Sequence, residues 1–286
     1  MKIFRTCVKG LLLSALTAMA AGCSDAASAT PAQPQGEAWT ACVSRADTGG
    51  EDLLVVLNGT KGRLHPADTD GGQATWVDEP LSWPATGPVE LITFCPYQES
   101  LPQTVSSDAQ TAYQVDYYSA DDASGTVTGF TLTHLMAQLR VHIKVAENDT
   151  HPIPTDAVIR LLTTATVDYS GKTLTDAADA KDFSLGEFGK EEGKTDGDDN
   201  WVNTPQIVIP QTLKKDERCI GFTAGGQEFY FKPTRDIVLS PGRLTHIYLG
   251  VAMNQPDVPM MLEDVTVTDW ANGGTIDGGE VEEEAN

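Results

Sequence analysis

The chain has 286 residues with 40% hydrophobic content, which is enough to bury a full core and is of a length that fits two domains. Its 41 acidic against 19 basic residues give a formal net charge of -22. That balance repels phosphate backbones and anionic bilayers, and it argues against nucleic-acid binding.

Residues 1–22 read as an export signal. Lys2, Arg5 and Lys9 make a basic start, and LLLSALTAMA (Leu11 to Ala20) is an apolar run too short to span a bilayer as a stable helix. The AAGCSD that follows resembles the lipobox of lipoprotein signal peptides: small residues suit the peptidase pocket, and the thiol of Cys23 is the expected site of lipidation. Cleavage by an ordinary signal peptidase near the same alanines is the alternative. Residues 1–22 carry three basic and no acidic groups, so their loss takes the net charge to about -25. Residues 23–36 are small, Pro- and Gln-rich and without apolar periodicity, which predicts a flexible tether.

From Trp39 to Trp270 the pattern is strand and turn. LLVVLNG, VELITFCPY, GTVTGFTL, QIVIPQTL and DVTVTDW are short Val-, Ile-, Thr- and aromatic-rich runs bounded by Gly, Pro and Asp. GG between FTA and QEFYF predicts a hairpin, and SPGR between IVL and LTHIYLGV predicts another. Only TDAADAKDF has helix character. Regular short strands with turn signals predict an all-β protein built of β-sandwiches.

FTLTHLMAQLRVHIKV (Phe130 to Val145) decides between a catalytic helix and a strand. With period two, Thr133, Leu135, Ala137, Leu139, Val141, Ile143 and Val145 share one face, while His134, Gln138, Arg140, His142 and Lys144 share the other with Leu132 and Met136. RVHIKV alternates too strictly for a helix. The histidines then point away from the core beside Arg and Lys, in a structural or surface role. Of the five cysteines, Cys7 leaves with the signal, and Cys42, Cys95 and Cys219 are widely spaced with no CxxC pair, which indicates neither a disulfide framework nor a zinc site and suits buried apolar packing, with a single bridge as the alternative.

Other motifs dissolve. SGKT (Ser170 to Thr173) lacks the glycine-rich cradle of a phosphate loop, with Thr166 where the leading glycine belongs. DGDDN (Asp196 to Asn200) lacks the central glycine and closing glutamate of a calcium loop. No HExxH or GxSxG occurs, and His65, His151 and His246 are scattered. The sequence indicates no catalytic, cofactor-binding or metal-binding residues, and the expectation is a protein that is not an enzyme.

FTLTHLMAQLRVHI also resembles the F-x-H-x-(M/L)-A-(K/Q)-(L/V)-x-V motif of the fimbrillin family, pilin-like lipoproteins of surface fimbriae in Gram-negative anaerobes. ATWVDEPLSWPATGPVELITFCPY, IVIPQTL and VTVTDWANGG are similar to further family segments in the same order, with Cys95 and Pro96 preceding Tyr97 where the tyrosine usually leads. The resemblance implies two tandem transthyretin-like β-sandwich domains after the lipoprotein signal peptide, spanning 37–146 and 147–275, with a junction near the Pro- and Asp-rich AENDTHPIPTD and an acidic tail over 276–286. It implies a fimbrial subunit at the cell surface, held in the outer membrane through lipid on Cys23, with other fimbrial subunits and host or bacterial surface ligands as partners. Proteolysis after an arginine would release a strand and open a groove for a neighbour's strand; the bond between Arg45 and Ala46 is the candidate, and EAWTACVSR, with Trp39, Ala41 and Val43 on one face, the removable strand. Alternatively this segment is a permanent first strand and Arg45 a turn residue. The apolar-poor, acidic C-terminus suits an anchor, tip or accessory subunit better than a bulk stalk subunit. A glycan-binding surface lipoprotein is the other reading, with Tyr113, Tyr117 and Tyr118 as its candidate sugar platform.

Overall fold

The computed structural model describes residues 30–31, 39, 41–42, 48–68, 73–123, 125–127, 129–145, 155–190, 199–224, 226–251 and 260–270. Most of these residues lie in strands, and the protein is all-β. A six-stranded antiparallel sheet is built from the N-terminal half in the order Thr75–Trp76, Thr60–His65, Leu53–Leu57, Val89–Cys95, Gln114–Ala120 and Thr133–His134. Its centre explains why LLVVL is apolar without interruption. Leu53, Val55 and Leu57 enter a core with Leu64 and Leu91, while Leu54 and Val56 enter a second core with Ile92, Phe94 and Val115 on the opposite face. A strand buried on both faces has no polar side to show, and each such Leu or Val contributes roughly 1.5–3 kcal/mol on burial.

The C-terminal half packs two sheets around a third core. One has Phe188–Lys190, Asp199–Asn203, Ala137–Val145, Arg243–Val251 and Met261–Asp269 in order, and the other has Thr173–Ser184, Thr155–Asp168, Ile220–Ala224 and Gln227–Phe231. Leu139, Val141 and Ile143 from the first face Ile159, Phe222 and Phe229 from the second. At the middle of the first sheet, Ala137–Val145 and Arg243–Val251 run parallel. The predicted alternation is present over 137–143, where Ala137, Leu139, Val141 and Ile143 supply the core.

Three local expectations change. The stretch from 133 to 145 is not one strand: Thr133–His134 pairs in the N-terminal sheet and Ala137–Val145 in a C-terminal one, with Leu135 and Met136 crossing between them, both buried. TDAADAKDF lies within the Thr173–Ser184 strand and not a helix, because the stretch from Val158 to Asp168 pairs along it with one register shift, and that pairing outweighs its alanine content. SPGR is a turn but closes no hairpin, since Ile237–Leu239 pairs with Gln211–Leu213 while Arg243–Val251 pairs with Ala137–Val145 and Met261–Asp269. The GG hairpin is present, joining Ile220–Ala224 to Gln227–Phe231. Within the stretch expected as tether, Thr30–Pro31 pairs with Gly125–Thr126.

The two halves are tied closely. Thr104–Ser106, from the N-terminal half, adds to the edge of Thr155–Asp168. Ala165, Val167 and Ile209 enter the core formed by Leu54, Phe94 and Val115. The side-chain amide of Gln110 donates to Ile207 O at 2.8 Å and accepts from Ile207 N at 3.0 Å, and Lys172 forms an ion pair with Asp116. SGKT is the tip of the hairpin that reaches across: Asp168 Oδ1 accepts from Ser170 Oγ and Gly171 N, while Lys172 reaches out to Asp116.

Candidate functional site

The segment at Trp39–Cys42 is seated inside the N-terminal half. Trp39 is 0% exposed and Ala41 is 1% exposed, so the two residues predicted to share a face do enter the core. Its backbone is held from both sides: Trp39 N donates to Leu81 O at 2.9 Å, Ala74 N donates to Ala41 O at 2.9 Å, and Phe130 N donates to Cys42 O at 3.4 Å. Cys42 forms bridges to Gln73, antiparallel, and to Gly129, parallel. Trp39, Ala41 and Cys42 thus lie between the segments at Gln73–Ala74 and Gly129–Phe130, and Cys42 bridges to both.

Aromatic side chains form the walls. Trp39 lies 5.9 Å from Trp76, 5.5 Å from Trp83 and 5.8 Å from Phe130, centroid to centroid. The indole N–H of Trp39 donates to Val127 O at 2.6 Å, and that of Trp76 donates to Trp39 O at 2.7 Å. The buried Nε1 of Trp83 has no hydrogen-bond partner among the described residues. Trp76 rests on Gly62, where an added Cβ would stand 2.7 Å from its ring, so this wall requires glycine there. Cys23, Arg45, Ala46 and Val43, to which lipidation, cleavage and the rest of the removable strand were assigned, lie outside the described residues.

The histidines have specific partners. His134 stacks on Trp270 at 4.4 Å and 9°, while Trp270 N donates to Gly242 O and Gly242 N to Met136 O. The histidine of the FTLTH motif and the tryptophan of the DW motif therefore meet at the crossing between the halves, a contact that no periodicity in the sequence reveals. His142 faces away from the core as expected, yet it is only 5% exposed, because Tyr248 stacks on it at 4.2 Å and its Nε2 shares a hydrogen bond of 2.9 Å with His246 Nδ1. His65 Nδ1 meets Asp52 Oδ1 at 2.5 Å, and Arg63 Nε binds the other carboxylate oxygen at 2.6 Å. Partial burial pushes the Asp52 carboxyl upward, but the hydrogen bonds from His65 and Arg63 and the charges of both outweigh it and hold the group below the ordinary value.

Cys95 and Cys219 are free and buried, and burial pushes each thiol up to about 12, with Glu51 and Asp52 adding to the effect at Cys95. Such thiols stay protonated and unreactive. Among the described residues no group of three or more His, Cys, Asp or Glu is placed to hold a metal ion. The three tyrosines do not make one platform. Tyr113 stacks on Phe94 at 5.6 Å, Tyr118 packs against Trp83, and Tyr117 donates its hydroxyl to Glu90 at 3.2 Å.

A model of the fimbrillin-like family matches residues 47–270. Among solved structures, a candidate cell adhesion protein from Bacteroides uniformis is similar with a TM-score of 0.55 and 17% identity, over 83% of this chain and 100% of the other. A candidate cell adhesion protein from Bacteroides ovatus gives 0.51 and 12% identity, over 78% and 88%. At these identities the likeness is one of fold. No curated protein matches the sequence.

Proposed function

Because the chain belongs to the fimbrillin-like family, we propose that it is a non-enzymatic subunit of a surface fimbria, acting in assembly and adhesion and joined to neighbouring subunits by strand complementation. The observation that carries this reading is the seating of Trp39–Cys42: a short segment holds both flanking backbones and fills an aromatic core, and it leads directly towards Arg45. Cleavage between Arg45 and Ala46 would free it. Its departure would uncover Trp76, Trp83 and Phe130 and unpair donors such as Ala74 N and Trp76 Nε1. An extended segment from a neighbour restores both, burying apolar side chains and satisfying the backbone at once.

Two features favour retention on the downstream side of the cut. Thr48 is buried, its carbonyl accepts from Glu51 N and its hydroxyl from Gly50 N. Asp52 follows, with Tyr97 N donating to its carbonyl at 2.6 Å. The chain from Thr48 onward is anchored, so a cut at Arg45 would release the upstream strand alone.

Before such a cut, lipid on Cys23 would hold the subunit in the outer membrane at the cell surface. The acidic C-terminal residues, ending EVEEEAN, have too few apolar positions to fill an aromatic groove. We therefore favour an anchor, tip or accessory position over the bulk stalk. The test is Arg45→Ala in the native host, with intact-mass measurement of surface protein. Wild type should yield a form beginning at Ala46 and the variant should not; equal masses for the two would remove the strand-exchange mechanism.

A further inference from the structure

We propose that the far rim of the N-terminal sheet, around Asn58, binds neutral carbohydrate. The proposal rests on the adhesive part of the function above and supplies a ligand class for it. Two hollows adjoin there, of about 410 and 500 Å³, and both are lined by Asn58. The first is bordered by Lys61, Glu79 and Ser82, and the second by Glu90, Tyr117, Ser119 and Asp121.

The floor is rigid. Asn58 has φ of 47°, its Nδ2 donates to Pro88 O at 3.0 Å, and its Oδ1 accepts from Glu90 N at 2.7 Å. Its backbone N donates to Glu90 O at 2.8 Å, so the turn after Leu53–Leu57 is fastened to the start of Val89–Cys95. Tyr117 is oriented by its bond to Glu90 Oε1, which leaves Glu90 Oε2 without a partner in that pair. Polar groups held this way need no reordering when a ligand arrives, which lowers the entropic cost of binding.

The chemistry points to a polyol. Carboxylates accept hydrogen bonds from vicinal sugar hydroxyls, Ser119 can donate or accept, and the phenol ring of Tyr117 offers apolar surface to the C–H face of a pyranose. Charge narrows the class. Between Thr48 and Met136 the only lysine and arginine are Lys61 and Arg63. Lys61 Nζ donates to Glu99 O and Arg63 is paired with Asp52. Three carboxylates, Glu79, Glu90 and Asp121, border the hollows, so sialylated, sulfated or phosphorylated ligands are repelled and uncharged hexose-based glycans are admitted.

The test is ligand-observed NMR and calorimetry on the full chain, using neutral oligosaccharides of glucose, galactose and mannose with sialylated counterparts of the same core. At least one neutral series should bind. Tyr117→Ala and the exposed Ser119→Ala/Asp121→Ala pair should each weaken it about tenfold or more, the effect of losing one good contact, while Tyr230→Ala on the C-terminal half leaves it unchanged. Tyr117 also packs against a core, so the Ser119/Asp121 variant decides if Tyr117→Ala fails to fold. No binding by any neutral series, equal binding of the sialylated forms, or affinity that survives the Ser119/Asp121 change would each overturn the proposal. Incorporation into fimbriae should be the same in these variants as in wild type; a wild-type chain that binds neutral glycan but is absent from purified fimbriae would count against the assembly role and leave the glycan site standing.

Discussion

Trp39 carries more of the N-terminal core than any residue near it in sequence. It touches Trp76, Trp83 and Phe130, and its carbonyl and indole each hold a hydrogen bond across the site. Replacing it with alanine should cost about 3–5 kcal/mol, the range for a large buried aromatic; urea unfolding checks this, and a loss below about 1 kcal/mol would mean that the core closes without it. Asp52 makes a different prediction. Its folded-state carboxyl titrates below the ordinary value of 3.8, so its contribution is fully present above that value and is lost as pH falls below it. Asp52→Asn should remove part of the decline in stability as pH falls below the ordinary carboxylate value while leaving His65 and Arg63 without their acceptor. Parallel pH profiles for variant and wild type would show that the cluster contributes nothing to stability.

At the level of elements, the clearest signals were those a strand imposes on its own residues. LLVVL and the alternation of 137–145 follow directly from burial on two faces and on one. What the sequence hid was pairing at a distance: the break at Leu135–Met136 depends on which sheet is nearer, and SPGR looks like a hairpin turn whether or not its two strands meet. Trp39 and Ala41 were legible as a face, but the Asn58 hollows draw on stretches 57–61, 79–84, 88–90 and 117–121, of which only Tyr117 stood out in the sequence. The strand misread as helix has a role of its own. Thr173–Ser184 is long, mostly exposed and at the margin of its sheet, an arrangement that invites unwanted pairing. Asp176 and Asp179 sit at φ of 50° and 58°, and the register slips between Thr164 and Thr166, so charge and a bulge interrupt the edge. The double variant Asp176→Val/Asp179→Val, with side chains that resist positive φ, should straighten the strand and promote self-association. Elution unchanged on size exclusion at high protein concentration would contradict that protective role.

Across the whole molecule, a hairpin from the C-terminal half reaches the N-terminal sheet through Lys172 and Asp116, and the Tyr169 hydroxyl donates to Pro102 O at 2.7 Å. With the shared core of Phe94, Ala165 and Ile209, these contacts favour a stiff body over two loosely tethered parts. Stiffness suits a link in a filament, where each joint passes tension to the next. A net charge of -22 sets free copies to repel one another, which disfavours non-specific association. Position in the filament is the central claim, and immunogold electron microscopy of intact cells carrying an epitope-tagged chain tests it most directly. The account predicts gold on fimbriae at the cell surface, concentrated at base or tip; gold scattered over the surface with no filament beneath it, or confined to the cell interior, would contradict it.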